Sequence, residues 1–478
     1  MTTQEIAEKT RTAKGSDSRS AVIQLRHEFA SRYAQHVSSA ASPIRSIAKM
    51  TQEIEAECEK QKISPKIMRQ EIVNRTIGDI NPRYIVEHDA KYDYRAIADL
   101  LGLAFPQERI NGYVSAGKVY QKLRRQMETY ERALIKSGWD IHMYDIAGVG
   151  NPILREWIAE DQMKQWNLKF DTDQVLLSTG SLDGIDKTLR GLRAVKWPGP
   201  TGSAAMLFPA PSFGVPEWQA KMHGYEVIRL RTEESAQYKL TAEQLSDFLS
   251  EHPSIRAVYL TISNNPTAYS YTCDELQSLL QAMRAFPNTL ILADMAYIGT
   301  GDIAKDKERM RAFAEQPQLD QIIFFWSMSK AFTMTGDRFG YICVGNPEIA
   351  QAISVSWVNG IAALPAEWQL RFMAFYQHIQ KHPEIREMIA SFYALRRRAL
   401  EKQLRELNAK EGLFAELLSG DETTIYNWSR LNKGESVFTL FEKTGIAGVP
   451  GSAFGYSDDH IRLSVGIHPV PGWEDTAL

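Results

Sequence analysis

Hydrophobic positions change period along this chain. Over residues 1–95 they recur at helical spacing: Val22, Leu25, Phe29 and Tyr33 make one series, and Ile44, Ile47 and Ile54 another. Ser42-Pro43 reads as an N-cap followed by proline at the first helical position. This segment shows no chemical motif and is expected to be a helical extension packed on the main body or on another subunit. From about residue 140 the period shortens. Apolar runs end in Gly/Asn/Asp/Ser punctuation and are followed by helical text. Strands are predicted at Val175–Ser178, Ala204–Phe208, Ala257–Ile262, Leu290–Ala293, Ile322–Trp326 and Gly340–Val344. Continuous runs such as VYLTI, TLILAD and IIFFW suit strands buried on both faces. Their alternation with helices predicts an α/β fold with a mostly parallel sheet. After residue 350 helical text returns, and late strands at Ser436–Phe441 and His460–Val465 suggest a smaller α+β unit. The division expected is 1–95 as extension, 141–350 as the large domain, and 96–140 with 351–478 as the small domain.

Composition removes alternatives. The 478 residues are 44% hydrophobic and 24% charged, an ordinary globular balance that excludes whole-chain disorder. A net charge of −3 gives no reason to expect a nucleic-acid partner. Cys58, Cys273 and Cys343 are far apart and in no CxxC spacing, so a disulfide framework and a structural metal site both lose support. The first twenty residues are polar, and no stretch approaches the ~18 apolar residues of a membrane span. A soluble, cytoplasmic protein is expected.

Polar residues gather where the strands end, which is where open α/β sheets bind ligands. Ser181 follows the first strand, Asn265 the third, Asp294 the fourth and Lys330 the fifth. Desolvation at a buried strand end favours a neutral, nucleophilic amine, so Lys330 is a candidate for Schiff-base chemistry. Ser327, Ser329 and Arg338 surround it with groups suited to a phosphate. TGSLDGID (179–186) opens a helix after a strand, an anion-binding arrangement, although Asp183 is also an ordinary first-turn acid. In NNPTA (264–268) the proline restrains Asn265 toward extended geometry. Asp294 would be a buried carboxylate in need of donors or a cation, with Tyr297 three residues on. Phe213, in the proline-bracketed loop PAPSFGVP, offers a stacking ring, and Arg462 on a late strand offers a bidentate grip on a carboxylate. Singly, each has a plain reading: a turn lysine, a turn asparagine, a helix-capping aspartate, a core phenylalanine, a surface arginine. Together, in one order at strand ends, they point to a site.

The set resembles the aspartate aminotransferase superfamily, the class I/II aminotransferases among fold type I pyridoxal-phosphate enzymes. SMSKAFTMTGDRFGY (327–341) is similar to the family's S-x-S-K…G-x-R-x-G, NNPTA to N-P-T-G, and ADMAYIG (293–299) to D-E-x-Y. YDIAGVGNPILREWIAE is similar to the family's helix entry, and LGLAFP (101–106) to its substrate loop. The resemblance implies pyridoxal phosphate held by Lys330 as an internal aldimine, with Lys330 then serving as base and acid. It implies Asp294 at the pyridinium nitrogen, Asn265 and Tyr297 at the phenolic oxygen, and Phe213 on the ring. Gly180, Ser181, Leu182, Ser327 and Arg338 would bind the phosphate, with Tyr144 reaching it from the other subunit of a homodimer. Arg462 would take the substrate carboxylate, with Asn265 and Gly102 near it. Ala268 stands where the family has glycine, the extension is long, and the chain closes sixteen residues after Arg462. Transamination of an amino acid is the expected reaction. Elimination, replacement, decarboxylation or cyclisation on the same cofactor is the alternative. A ligand-sensing transcriptional regulator is a remote one, since residues 1–95 carry no basic recognition stretch.

Overall fold

The computed structural model describes residues 3–35, 43–78, 109–110, 113–114, 117–138, 144–145, 147–197, 204–317, 319–381, 383–417, 420 and 424–465. Its centre is a seven-stranded sheet of β1 (Val175–Ser178), β2 (Ala205–Ala210), β3 (Glu226–Arg231), β4 (Ile255–Thr261), β5 (Leu290–Asp294), β6 (Ile322–Ser327) and β7 (Gly340–Val344). The spatial order is β1-β7-β6-β5-β4-β2-β3. Strands β3, β2, β4, β5 and β6 pair in parallel, whereas β7 runs antiparallel to both β6 and β1.

The apolar runs are buried on both faces, as their lack of alternation implies. Successive residues point to opposite sides: Leu177, Ile291 and Phe324 enter one core, and Leu176, Leu292 and Phe325 the other. Of these strands only β3 has exposed residues, Glu226, Arg229 and Arg231, and it lies at the sheet edge, where charge discourages pairing with other chains. That strand was not among those predicted.

A second, antiparallel sheet has β8 (Phe414–Glu416), β9 (Tyr426–Leu431), β10 (Val449–Pro450) and β11 (His460–Ser464) in the order β8-β9-β11-β10. The late strand expected at Ser436–Phe441 is instead a helix, Val437–Thr444. Ser436 caps it, accepting from Thr439 N–H while the Thr439 side chain accepts from Ser436 N–H. A reciprocal cap of this kind fixes a helix start, and Val437, Leu440 and Phe441 then fall on one buried face.

The first segment is helical as expected, with α1 (Thr3–Ala34), α2 (Pro43–Lys60) and α3 (Pro65–Glu71). Its described part also includes a strand. Val73–Asn74 pairs in parallel with Ile446–Ala447. Arg75 N–H donates to Ala447 O at 2.8 Å, and Ser464 N–H to Arg75 O at 2.9 Å. Arg26 on α1 pins this junction, donating to Glu71 O at 3.0 Å, to the Glu71 carboxylate at 3.3 Å and to Glu442 O at 2.8 Å. Gly445 makes the close approach possible: its φ is +75°, and a Cβ there would lie 1.9 Å from Glu71 O. Among the described residues no helix is long and apolar enough to cross a membrane.

Candidate active site

Strand β7 creates one half of the site. Its first residue, Gly340, pairs with Ser178 on one side and Ser327 on the other, the last residues of β1 and β6. A Cβ on Gly340 would lie 2.6 Å from Gly180 Cα, so the glycine lets the turn after β1 close on the sheet. Gly180, at φ +90°, then starts the helix Ser181–Ala194, whose first N–H groups have no carbonyl within the helix to bond. Asp183 keeps its structural role, accepting from Thr179 N–H at 2.8 Å and from Lys187 at 2.9 Å. Arg338, at φ +60°, reaches back over the turn. Its guanidinium donates to Thr179 O at 3.3 Å and to Ser329 Oγ at 3.4 Å. Ser327 Oγ accepts from Ser329 N–H at 3.2 Å. Gly180, Ser181, Ser327, Ser329 and Arg338 therefore form one cluster of donors around a helix N-terminus, which suits a phosphate dianion.

The other half is a chain of buried polar contacts. Asn265 donates to the Tyr297 hydroxyl at 3.2 Å, and its oxygen accepts from Arg462 at 2.9 Å. Arg462, 2% exposed, also donates to Thr76 O, while its Nε is buried with no acceptor among the described residues. Lys330, half-buried, donates to Gly78 O. Tyr426 closes the circuit: its hydroxyl is 2.8 Å from that of Tyr297, and Arg462 lies over its ring at 4.3 Å. Burial first, and then the Tyr426 hydroxyl, push the Tyr297 phenol well above its ordinary value, so Tyr297 stays protonated.

Asp294 ends β5 and is buried. It accepts from the Tyr259 hydroxyl at 2.6 Å and from Ala296 N–H at 2.9 Å. Burial raises its pKa, its hydrogen bonds oppose the shift, and no cation pairs with it among the described residues. A buried carboxylate in that state is suited to a cationic ring nitrogen.

The structure thus links Asn265, Tyr297 and Arg462 in one network, brings Lys330 to the Gly78 carbonyl two residues from the Thr76 carbonyl that Arg462 meets, and gathers Gly180, Ser181, Ser327 and Arg338 in another cluster. Leu182 is in the first turn of the same helix. Phe213 is half-buried in a loop tied to the asparagine turn, since Asn264 donates to Pro211 O at 3.0 Å. Ala268, in the family's glycine position, takes φ +62°, so the turn keeps its left-handed residue without the glycine. Tyr144 stands apart and is 79% exposed. Gly102 lies outside the described residues. Tyr259, Tyr426, Thr76 and Gly78 were not anticipated; the last two lie in the segment that showed no chemical motif and bring its carbonyls to Arg462 and Lys330. A signal was present: in VNRTIGDINP a short apolar run gives way to Gly and Asn-Pro punctuation, as the strand runs do.

Comparison with known proteins adds to this geometry. A family model described as aminotransferase class I and II matches residues 143–470. The chain belongs to that family. Its members are pyridoxal-phosphate-dependent transferases. LL-diaminopimelate aminotransferase of Dehalococcoides mccartyi is 25% identical over 326 residues, covering 66% of this chain and 78% of that protein. An aspartate aminotransferase of Pinus pinaster is 27% identical over 331 residues, covering 66% and 63%. Among solved structures, an archaeal alanine:glyoxylate aminotransferase superposes with a TM-score of 0.65 at 16% identity, over 91% of this chain and 93% of that one. The aspartate aminotransferase of Thermus thermophilus with maleate gives 0.62 at 17%, over 89% and 92%. These likenesses place the chain in the fold type I architecture.

Proposed function

We propose that this protein is an aminotransferase that moves the amino group of an α-amino acid to a 2-oxo acid, with pyridoxal phosphate bound at Lys330. One observation carries the reading: Arg462, Asn265 and Tyr297 form a buried hydrogen-bonded chain, Lys330 meets the same 76–78 backbone that Arg462 does, and a separate phosphate-suited cluster lies at Gly180 and Arg338. When bound, pyridoxal phosphate supplies an electron sink for the charge left at the substrate Cα. The chain's residues do the rest. Arg462 grips the substrate carboxylate through its planar fork, with Asn265 fixing the orientation of that fork. Lys330 Nζ would take the proton from the substrate Cα and return it on the far side of the amino nitrogen, a 1,3 shift, which requires that the lysine leave the Gly78 carbonyl. Asp294 would stabilise a positive charge on the cofactor's ring nitrogen, and Tyr297 would donate to its ring oxygen. Gly180, Ser181, Leu182, Ser327 and Arg338 hold the phosphate, and Phe213 packs against the ring.

In this reading residues 141–350 are the cofactor-bearing domain, and 96–140 with 351–478 the smaller one. A homodimer would use the exposed Tyr144 to complete the partner's phosphate site. The relatives named above act on dicarboxylic or small amino acids by their names, and a panel of such donors with 2-oxoglutarate is the direct assay. Purified protein should develop a visible absorption with pyridoxal phosphate. Borohydride should fix the cofactor to the peptide bearing Lys330, and Lys330→Ala should lose both fixation and turnover. Absence of any absorption at saturating cofactor overturns the proposal. Turnover that never consumes an oxo acid would turn it toward elimination or decarboxylation.

A further inference from the structure

Tyr426 is used by nothing described so far, yet it touches three parts of the site. It begins β9, pairing with Ser464 of β11, two residues before Trp428 pairs with Arg462. Residues two apart share a face, so the strand turns the Tyr426 ring toward the arginine. The hydroxyl extends past the guanidinium to Tyr297. Gly78 provides the room: a Cβ there would sit 1.8 Å from the Tyr426 hydroxyl oxygen. Tyr426 is 2% exposed, so these contacts are shielded from water.

We propose that Tyr426 is a positioning residue that orients the Tyr297 proton and steadies the Arg462 plane, a role that rests on the pyridoxal-phosphate reading above. The argument is a count of lone pairs. A phenol oxygen has one proton to give and two lone pairs to receive with. Asn265 Nδ2 can only donate, so it occupies one lone pair of Tyr297. When the Tyr426 hydroxyl donates as well, the second is filled and the Tyr297 proton has no direction left but the open site. Tyr297 becomes a donor of fixed direction. A donor that itself accepts a hydrogen bond is a stronger donor. An oxygen facing Tyr297 is thereby favoured in its deprotonated form. The ring of Tyr426 acts separately, holding the guanidinium flat by cation–π attraction so that its fork presents to a carboxylate.

Tyr426→Phe separates the two roles, because it keeps the ring and removes the hydroxyl. In protein loaded with pyridoxal phosphate, the midpoint of the pH-dependent change in visible absorption should rise by about 0.5 to 1 pH unit, the scale of one hydrogen bond. Affinity for a non-reacting dicarboxylate such as maleate should change less than about twofold. Tyr426→Leu removes the ring too and should weaken maleate binding about tenfold, as expected for loss of one cation–π contact and its alignment. In a Tyr297→Phe background, Tyr426→Phe should add no further spectral shift. An unmoved midpoint in a folded, cofactor-loaded Tyr426→Phe overturns the inference and leaves the aminotransferase reading standing. A wild-type protein with no visible absorption overturns that reading instead. Should Tyr426→Phe fail to fold, Gly78→Ala displaces the same hydroxyl by steric contact. An upward shift there supports the inference, and no shift overturns it.

Discussion

Replacing Arg26 with methionine tests whether the first helix helps to build the active site. Arg26 is 5% exposed and donates to Glu71 O, the Glu71 carboxylate and Glu442 O. Burial pulls its guanidinium below the ordinary value, while Glu71 opposes the shift. Removing one member of a buried ion pair costs about 3–5 kcal/mol, because the other charge stays behind in a dry place. Arg19 remains 2.5 Å from Glu71, but its side chain is 67% exposed, and such a pair recovers about 0–1 kcal/mol. The expected loss is about 3 kcal/mol, read as a lower urea midpoint at unchanged slope. The second consequence is functional. Arg26 pins the end of α3, from which Val73–Asn74 pairs with Ile446–Ala447 and leads into Thr76, whose carbonyl accepts from Arg462. Loosening that strand should weaken maleate binding about tenfold, the worth of one buried hydrogen bond. Adding Glu71→Gln removes the stranded charge and should restore part of the stability. A loss below about 1 kcal/mol would refute the energetic argument. A full loss with unaltered maleate affinity would refute the link between helix and site.

Two further outcomes follow from single positions. Gly340→Ala would drive a methyl to within 2.6 Å of Gly180 Cα and 2.8 Å of Trp326 O, both backbone. It should destabilise the protein by about 1–3 kcal/mol and cut pyridoxal-phosphate affinity at least about tenfold, whereas Gly336→Ala, which meets nothing within 4 Å, should do neither. Asp306 is buried beside Arg309, and burial raises its carboxyl from 3.8 to about 6. The folded state then binds a proton that the unfolded chain has released, so stability falls as pH rises from about 4 to 6, by roughly 3 kcal/mol in all. Relative to Asp306→Asn, the wild-type unfolding free energy should decline across that window. A constant difference between the two would refute the assignment.

The central sheet was legible because its strands are buried on both faces. A run such as IIFFW has no competing helical period, and it ends at the residues that carry the chemistry. Strand β3 is not apparent in EVIRLR, which has no clean alternation and whose charged residues look like surface text, which an edge strand is. Ser436–Phe441 was read as a strand because SVFTLF is rich in β-branched and aromatic residues, and the Ser436–Thr439 cap outweighed that propensity. Lys330, Asn265, Tyr297 and Arg462 could be found from local motifs. Tyr426 and Gly78 could not, since each matters only through partners outside its own local pattern: Tyr297 is 129 residues from Tyr426, and Lys330 is 252 from Gly78. Gly102 lies outside the described residues; Gly78 is a glycine that meets Lys330 and Tyr426.

The pairing of the first segment with the end of the chain also has a consequence for synthesis. Thr76 and Arg462 are 386 residues apart, and Arg26 and Glu442 are 416 apart. At translation rates of ~5–20 residues per second, roughly 20 to 80 seconds pass between the appearance of Thr76 and of its partner. During that interval α1 lacks the helix Val437–Thr444 and α2 lacks the strands Ile446–Ala447 and Val449–Pro450 that they pack against, while the central sheet can already close. Folding of the active centre therefore ends where the polypeptide began. A ribosome-bound chain halted before Ile446 should present its first seventy residues to protease and to chaperones, and release of the last strand should protect both ends together.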